Sequence, residues 1–357
     1  MNKKWNIGWG PVSLCNMNCE FCYSRMARQE EYDLSLEQWK TFIAQNHKAI
    51  NTINYGTSEN SISDDWFELI RFVSQYNIPQ ALTTNGYISE RINKNKKFED
   101  IFNNAISEVD VSLDFGKKDR HNSWRGQPKA YDWAINTLDY CSQKNINTTL
   151  VFIGTNETLQ IDNLESLFQI AKKFNAKLRM NIFRPTMKDE NVVKQFIAGY
   201  KEIISALEYI NSNHKILQIC DPLFHSILTE SNDKIVDPSG INSLRILSNG
   251  DITPSTYLIT NDFKLNNIKN ENVLENIPEI KFQYILPDVC KKCCYCDSCH
   301  GGVFDRRYLW YGSFNQVDPY CPYREGNFIP TFKVKIDKDN DFSSIHDGYL
   351  PTMFFQY

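Results

Sequence analysis

Apolar, β-branched runs alternate with segments of helical periodicity through the first two thirds of the chain. The runs that predict strands cover residues 52–56, 79–86, 108–115, 147–156 and 177–185. The segments that predict helices cover residues 64–76, 129–144, 164–174 and about 190–212, with a further helix after an N-cap at Ser35. Mostly apolar strands joined by helices are typical of a parallel sheet that is buried on both faces.

This alternation stops near residue 220, after about six strand–helix units. A closed eight-stranded barrel needs about 250 residues, so the sequence predicts an α/β fold built on a partial (β/α)6 TIM-like barrel. Short strands, turns and cysteines follow, and they indicate a small C-terminal cysteine-rich domain. The predicted boundaries are 1–225 for the barrel, 226–328 for the small domain and 329–357 for a C-terminal extension.

Charge and hydropathy exclude several partners. A net charge of −4 over 357 residues gives no electrostatic reason to bind nucleic acid or an anionic membrane. No apolar run reaches the roughly 18–20 residues of a membrane span, and the start MNKKWNIGWG lacks the apolar core of a signal peptide. We therefore expect a cytoplasmic protein, in which 11 cysteines indicate metal ligation rather than disulfides.

The cysteines lie in two groups. Cys15, Cys19 and Cys22 form the first, six cysteines between 290 and 321 form the second, and only Cys141 and Cys220 lie between them. Three cysteines complete a tetrahedral zinc site only if a fourth ligand comes from elsewhere. On a [4Fe–4S] cluster, three cysteines leave one iron open to a substrate or cofactor.

The motif C-x3-C-x2-C, with Phe21 before its last cysteine, follows the first predicted strand and resembles that of the radical S-adenosylmethionine (SAM) superfamily. The resemblance implies that the open iron chelates the amino and carboxylate groups of SAM. One electron then cleaves SAM to a 5′-deoxyadenosyl radical, which abstracts a hydrogen atom. A three-cysteine zinc knuckle is the alternative interpretation of the motif.

The resemblance extends to other residues that would contact SAM. The stretch YGTSEN matches the family's GGE-type turn, although Thr and Ser replace the two glycines. Ser112 and Asp114 end the fourth strand, and Arg125 follows, where the family's polar groups contact the ribose or carboxylate of the cofactor. For Ser112 and Arg125 a purely structural role is the alternative. The implied cofactor-binding residues are Phe21, Gly56, Thr57, Ser58, Glu59, Ser112, Asp114 and Arg125.

The second group of cysteines resembles the SPASM domain, which usually carries two auxiliary clusters. The resemblance places one cluster on Cys290, Cys293, Cys299 and Cys321. The ligands of the other are missing together, because Val303 and Ser255 stand at two of their positions and residues 236–243 contain no cysteine. We therefore expect two [4Fe–4S] clusters in all, one of them auxiliary. Cys294 and Cys296 are surplus, Cys296 could replace one of the four ligands, and a zinc ribbon is the alternative.

Two further hypotheses concern single residues. Cys220 lies near the end of the barrel pattern and outside both groups, so it is a candidate hydrogen-atom donor to a substrate radical, as in radical epimerases. A buried, inert cysteine is the alternative. Arg184 and Asn181 lie in the sixth strand run, where alternation could point both side chains into the barrel, and an inward arginine would suit a substrate carboxylate.

The resemblance implies an enzyme that attacks an unactivated C–H bond and takes electrons from a donor such as flavodoxin or ferredoxin. Its substrate would be a ribosomally made peptide, which it crosslinks, epimerises or oxidises. A small sugar, nucleoside or amino acid is the alternative, and 14 residues before Cys15 are too few for a leader-recognition module. A zinc-binding scaffold without catalysis is the alternative from another class.

Overall fold

The computed structural model describes residues 3–27, 33–186, 190–230, 234–281, 285–324, 326, 328–337 and 342–357. Eleven strands form one sheet, in the order β10-β9-β8-β1-β2-β3-β4-β5-β6-β11-β7. Six parallel neighbours make up its centre: β1 (Trp5–Trp9), β2 (Ile50–Tyr55), β3 (Gln80–Thr84), β4 (Glu108–Ser112), β5 (Asn147–Gly154) and β6 (Lys177–Ile182). The predicted α/β fold with a partial barrel is confirmed.

Helices cover the outer face of these strands. They are α1 (Leu36–Asn46), α2 (Asp64–Ser74), α3 (Ile88–Lys94), α4 (Lys96–Ala105), α5 (Lys118–Arg125), α6 (Ala130–Lys144) and α7 (Ile161–Lys173). The expected cap at Ser35 is present, because its side chain accepts from Gln38 N and the Gln38 side chain accepts from Ser35 N. Trp39, Phe42 and Ile43 of α1 are buried against the sheet.

The single helix predicted at 190–212 is wrong. Two helices occupy that stretch, α8 (Glu190–Phe196) and α9 (Tyr200–Asn213). Gly199 between them has an extended backbone and is the N-cap of α9. Glycine has a low helix propensity, so the helix is interrupted at Gly199. The prediction used only the spacing of apolar residues and did not take this glycine into account.

Two strands that the sequence did not predict complete the barrel wall. After α9 comes β7 (Lys215–Ile219), and β11 (Met353–Gln356) inserts between β6 and β7. β11 runs antiparallel to both, with Phe354 opposite Arg179 on one side and Gln218 on the other. The chain after residue 342 therefore belongs to the barrel rather than only covering it.

The C-terminal region shares the same sheet. β8 (Ser243–Ile246) pairs in parallel with β1 and extends the sheet at its other end, followed by β9 (Asp251–Thr253) and β10 (Asn266–Asn267). The helices here are α10 (Pro222–Leu228), α11 (Cys296–Cys299) and α12 (Phe304–Tyr311). Across the described ranges, every helix is too short or too polar to cross a membrane.

Candidate active site

A cavity of about 140 Å³ opens inside the barrel, at the carboxyl ends of its parallel strands. Loops after β1, β2 and β3 form one side, and the last residues of β4, β5 and β6 form another. The remaining wall comes from β8 and from residues 346–350. Parallel barrels place their reactive groups at this edge of the sheet, so the cavity is the candidate active site.

The three cysteines of the first motif all line this cavity. Cys19 is buried, and Cys15 and Cys22 are half-buried. The loop is held against the barrel, because Cys22 N donates to Cys19 O at 3.3 Å and the Phe21 ring stacks on Trp124 with centroids 5.0 Å apart. Burial raises the pKa of the Cys19 thiol above its ordinary value.

The donor set suits the cluster that the motif implies. Three thiols are the soft ligands that iron–sulfur clusters take. Among the described lining residues there is no fourth cysteine and no carboxylate, and the one lining histidine, His346, is bonded at its Nδ1 to Asp110 Oδ2 at 2.8 Å. A cluster on these three thiols would keep one position free on the side of the cavity.

The YGTSEN turn follows β2, and only some of its residues line the cavity. Gly56 and Ser58 line the cavity, whereas Thr57 and Glu59 are buried behind them. Glu59 accepts hydrogen bonds from Ser61 Oγ, Thr84 Oγ1 and Asn85 N at 2.6–2.9 Å. Burial raises the pKa of Glu59 although these bonds oppose the shift. Its carboxyl group therefore joins the turns after β2 and β3.

Asp114 and Arg125 form an ion pair at the edge of the cavity. Arg125 Nε donates to Asp114 Oδ2 at 2.7 Å, and its Nη2 lies 2.6 Å from the same oxygen. Asp114 Oδ1 accepts from Ile153 N at 3.1 Å. Arg125 and Ser112 line the cavity and Asp114 does not, so Asp114 fixes the position of the guanidinium, which lies 5.1 Å from the Phe21 ring centre.

Three further arginines line the cavity, and each is at least 97% buried: Arg179, Arg184 and Arg245. Arg179 Nη1 lies 2.9 Å from Asp110 Oδ2, and Arg184 Nε lies 3.3 Å from Asp305 Oδ1. Arg184 and Asn181 both line the cavity, as expected, but Arg184 lies beyond the end of β6 at Ile182, so strand alternation does not explain its position. The sequence reasoning missed Arg179 and Arg245. In its strand, each of these arginines stands between two apolar residues, and this pattern could have indicated that its side chain points to the opposite face.

The C-terminal segment contributes Tyr349 to the same wall. A Cβ atom added to Gly8 on β1 would lie only 1.5 Å from Tyr349 Oη, so the phenol occupies space that any other residue at position 8 would fill. Tyr349 Oη also lies 2.6 Å from Thr256 Oγ1. Nothing in the local sequence around residue 349 signals this contact, because it joins residues about 340 positions apart.

The second group of cysteines surrounds a separate pocket of about 30 Å³. Leu223, Ile227 and Val317 give it apolar walls, and the cysteines that line it are Cys290, Cys293, Cys296, Cys299 and Cys321. Cys294 is exposed and outside the lining. Burial raises the pKa of Cys290 to about 11 and that of Cys299 well above its ordinary value. The four predicted ligands and Cys296 therefore converge, and five thiols are available for four positions.

A buried arginine ties this pocket to the barrel. Arg306 contacts Asp221, the N-cap of α10, at 2.6 Å and contacts Asp318 on its other side. Asp318 O accepts from Cys321 N at 2.9 Å, and Asp318 Oδ2 would lie 2.4 Å from a Cβ at Gly302. Gly302 has φ +78°, a conformation that favours glycine, so a glycine at position 302 is needed for the close approach of Asp318.

A polar network lies at Ser255 and in segment 236–243, where the sequence analysis expected cysteines if a second auxiliary cluster were present. Ser255 Oγ donates to Asp305 Oδ2 at 2.5 Å, and Asp305 is the partner of Arg184. Asp237, from the cysteine-free segment 236–243, is buried, and the charge of Asp305 affects its pKa. Burial and Asp305 together raise the pKa of Asp237 to about 7. Val303, the other substituted position, is fully buried.

Cys220 lies outside the cavity lining. Its thiol is buried with Leu217 and Phe354 and donates to Asp347 Oδ1 at 3.4 Å. The predicted hydrogen-atom donation needs contact with a substrate carbon, and the described cavity wall does not include this sulfur. The geometry therefore supports the alternative of a packed, inert thiol.

The Radical SAM superfamily model matches residues 11–169, a stretch that includes the three-cysteine motif, Glu59, Asp114 and Arg125. Residues 11–169 are therefore a radical SAM domain. The protein is an enzyme that uses SAM and an iron–sulfur cluster, and its C-terminal region is rich in cysteine.

Relatives of this radical SAM enzyme include proteins with different named products. The mycofactocin maturase MftC of Mycolicibacterium smegmatis is 19% identical over 88% of this chain and 82% of its own. The AdoMet-dependent heme synthase of Methanosarcina barkeri is 22% identical over 90% of this chain and 97% of its own. SuiB of Streptococcus suis, solved with its precursor peptide SuiA, shares the fold with a TM-score of 0.69 and 13% identity, over 90% of this chain and 76% of that one.

Proposed function

We propose that this enzyme forms a 5′-deoxyadenosyl radical at Cys15, Cys19 and Cys22 and uses it on an unactivated C–H bond of a ribosomally made peptide. The outcome would be a crosslink, an epimerisation or an oxidation. The observation that carries the proposal is that these three thiols, the Arg125 guanidinium and three buried arginines line one cavity. A radical formed at the thiols would be generated beside groups able to hold a polar substrate.

The residues around the motif would hold SAM, and the chemistry supplied there is reductive cleavage of its sulfonium. Phe21, Gly56, Ser58, Ser112 and Arg125 can contact the cofactor directly because they line the cavity. Thr57, Glu59 and Asp114 act behind them as positioning residues. Asp114 holds Arg125 in place, and Glu59 fixes the turn that carries Gly56 and Ser58.

A second [4Fe–4S] cluster would bind Cys290, Cys293, Cys299 and Cys321, which meet at one apolar pocket. Four thiols leave no open iron, so this site would pass electrons and stabilise the C-terminal region rather than bind substrate. The network of Ser255, Asp305 and Asp237 supports one auxiliary cluster rather than two. We propose the units 1–225, 226–328 and 329–357, although β8 joins the sheet of the first unit.

The peptide substrate is supported by the comparisons with MftC, named a maturase, and SuiB, solved with a precursor peptide. The heme synthase of M. barkeri favours a second candidate, a small-molecule substrate. In both cases the enzyme would need an external electron donor such as flavodoxin or ferredoxin.

The test is anaerobic reconstitution followed by assay with SAM, a chemical reductant and each candidate substrate. We expect about eight iron and eight sulfide per chain, and 5′-deoxyadenosine that requires both SAM and reductant. Short peptides encoded next to the gene should change mass, while a porphyrin control should not. Stoichiometric zinc without iron would contradict the proposal, and turnover of porphyrin alone would favour the second candidate.

A further inference from the structure

Arg245 differs from the other arginines that line the cavity. It lies on β8 opposite Gly8 of β1, and its side chain is 99% buried. It lines the same cavity as Cys15, Cys19 and Cys22. The other lining arginines each contact a carboxylate: Arg125 with Asp114, Arg179 with Asp110, and Arg184 with Asp305.

The guanidinium of Arg245 has no carboxylate partner among the described residues. Its Nη1 donates to Tyr349 Oη at 3.2 Å, while Nε and Nη2 have no hydrogen-bond partner there. The ionisable groups near enough to affect it are three phenols, those of Tyr349, Tyr23 and Tyr257. An arginine offers five N–H donors, so most of its hydrogen-bonding capacity remains unused inside the cavity.

An unpaired buried cation destabilises a fold, because it loses hydration without gaining an opposite charge. Such strain is typical of binding sites, where the ligand supplies the missing partner. Nε and Nη2 lie on one edge of the guanidinium and match the two oxygens of a carboxylate. The ligand indicated by this donor pair is therefore a carboxylate.

The side chains around the Arg245 guanidinium are fixed in position before a ligand binds. Its partner Tyr349 is 97% buried, occupies the space left by Gly8, and lies 2.6 Å from Thr256 Oγ1. Tyr23, beside Cys22, is fixed by donating to Gly56 O at 2.7 Å. Because the neighbouring phenols are fixed, little side-chain entropy remains to be lost when an anion binds.

We propose that Arg245 binds a carboxylate of the substrate within the cavity that holds the three-cysteine motif. This inference rests on the proposed function and adds the substrate's chemical class: the reacting part carries a carboxylate, as an aspartate, a glutamate or a chain end does. Arg184, the arginine suggested by the strand pattern, is already satisfied by Asp305 and by Ile182 O.

Thermal unfolding of the as-isolated protein separates a binding role from a structural one. Arg245→Met removes an unpaired charge, so its Tm should equal or exceed that of the wild type. The matched variant Arg179→Met leaves the buried Asp110 without its arginine and with His346 as its remaining charged neighbour, and its Tm should fall by about 5 °C or more. If Arg245→Met lowers Tm as far as Arg179→Met does, Arg245 is a structural residue and the proposal is overturned.

Binding is measured by NMR with two probes that differ in one group, N-acetyl-L-glutamate α-amide and N-acetyl-L-glutamine α-amide. The wild type should bind the carboxylate probe about tenfold or more tightly. Arg245→Gln should lose that preference, and Arg245→Lys, which keeps the charge without the planar fork, should keep part of it. Equal binding of the two probes by the wild type, or no binding of either, overturns the proposal.

The cofactor is the other source of a carboxylate, so the dissociation constant of SAM is measured on reconstituted protein. We expect less than a twofold change in Arg245→Gln. A tenfold loss of SAM affinity would assign Arg245 to the cofactor and overturn the substrate assignment. Formation of 5′-deoxyadenosine by the wild type is a separate measurement: its absence would refute the proposed function, whereas the probe experiment needs no turnover.

Discussion

The two cysteine sites use the same ligand atom in opposite surroundings. Cys15, Cys19 and Cys22 face a cavity of about 140 Å³ that is lined by four arginines, whereas the pocket at 290–321 measures about 30 Å³ and is lined mainly by apolar and aromatic side chains. The first offers three thiols and the second offers five. If both groups bind clusters as proposed, the number of thiols and the space beside them, rather than the residue type, separate a reactive iron site from a closed one.

The strongest test of the difference between the two cysteine sites removes only the three-cysteine site. Cys15→Ala, Cys19→Ala or Cys22→Ala should each abolish 5′-deoxyadenosine, because three thiolates are the smallest set that holds an open-iron cluster. The triple variant should retain about four iron atoms per chain, measured by iron analysis and EPR. Turnover by any single variant would contradict the assignment, and about eight iron atoms in the triple variant would show that a second auxiliary cluster exists.

Removing the closed site should halve the iron without removing the first cluster. Cys299→Ala takes away the most buried thiol of the pocket, so iron should fall from about eight to about four atoms per chain. Cys294→Ser is the matched control, because that thiol is exposed and outside the pocket lining. Cys296→Ser should leave the iron content unchanged. Loss of iron in Cys296→Ser would move the ligand set to include Cys296.

A smaller effect is expected from the ion pair that positions Arg125. Asp114→Asn removes the charge that holds the guanidinium, and SAM affinity should fall about tenfold, as measured by equilibrium dialysis. The control Asp139→Asn makes the same chemical change at an exposed position of α6. An unchanged SAM affinity in Asp114→Asn would mean that Arg125 has a structural role instead.

The smallest expected effect concerns the network that replaces the missing cluster ligands. The folded pKa of Asp237 is raised to about 7, so between its ordinary value of 3.8 and about 7 the folded protein binds the proton more tightly and loses stability as pH rises. Asp237→Asn should therefore raise Tm at pH 8 and raise it less at pH 5, measured by thermal unfolding. An equal change at both pH values would show that Asp237 does not titrate in this range.

Much of the barrel could be predicted because its signals are local. The cap at Ser35 and the apolar runs that became β2 to β6 depend on residues within one turn or one strand. The signal for the helix break at Gly199 was also local. It was overlooked because the residues on both sides have helical spacing and only one glycine interrupts them. The three-cysteine motif was recognisable for the same reason, since its spacing lies within eight residues.

The rest of the site depends on contacts between distant parts of the chain. β11 is four residues long, too short to show a strand period, and its partners lie more than 130 residues earlier. Arg245 resembles any arginine in a short strand until Gly8 and Tyr349 are brought beside it. Sequence spacing can place a side chain on a face, but whether a carboxylate meets it there is decided by tertiary structure.

The position of β11 also sets an order of events during synthesis. The ribosome completes β7 at residue 219, but the strand between β6 and β7 begins at residue 353. At about 5–20 residues per second, roughly 7–27 s pass before β7 obtains its partner. Throughout that interval the edges of β6 and β7 that pair with β11 have no partner strand, and the segment that carries Tyr349 has not been synthesised. The first motif is synthesised long before its cavity is closed, so the timing of cluster delivery relative to translation decides whether the thiols meet iron in an open or a finished barrel.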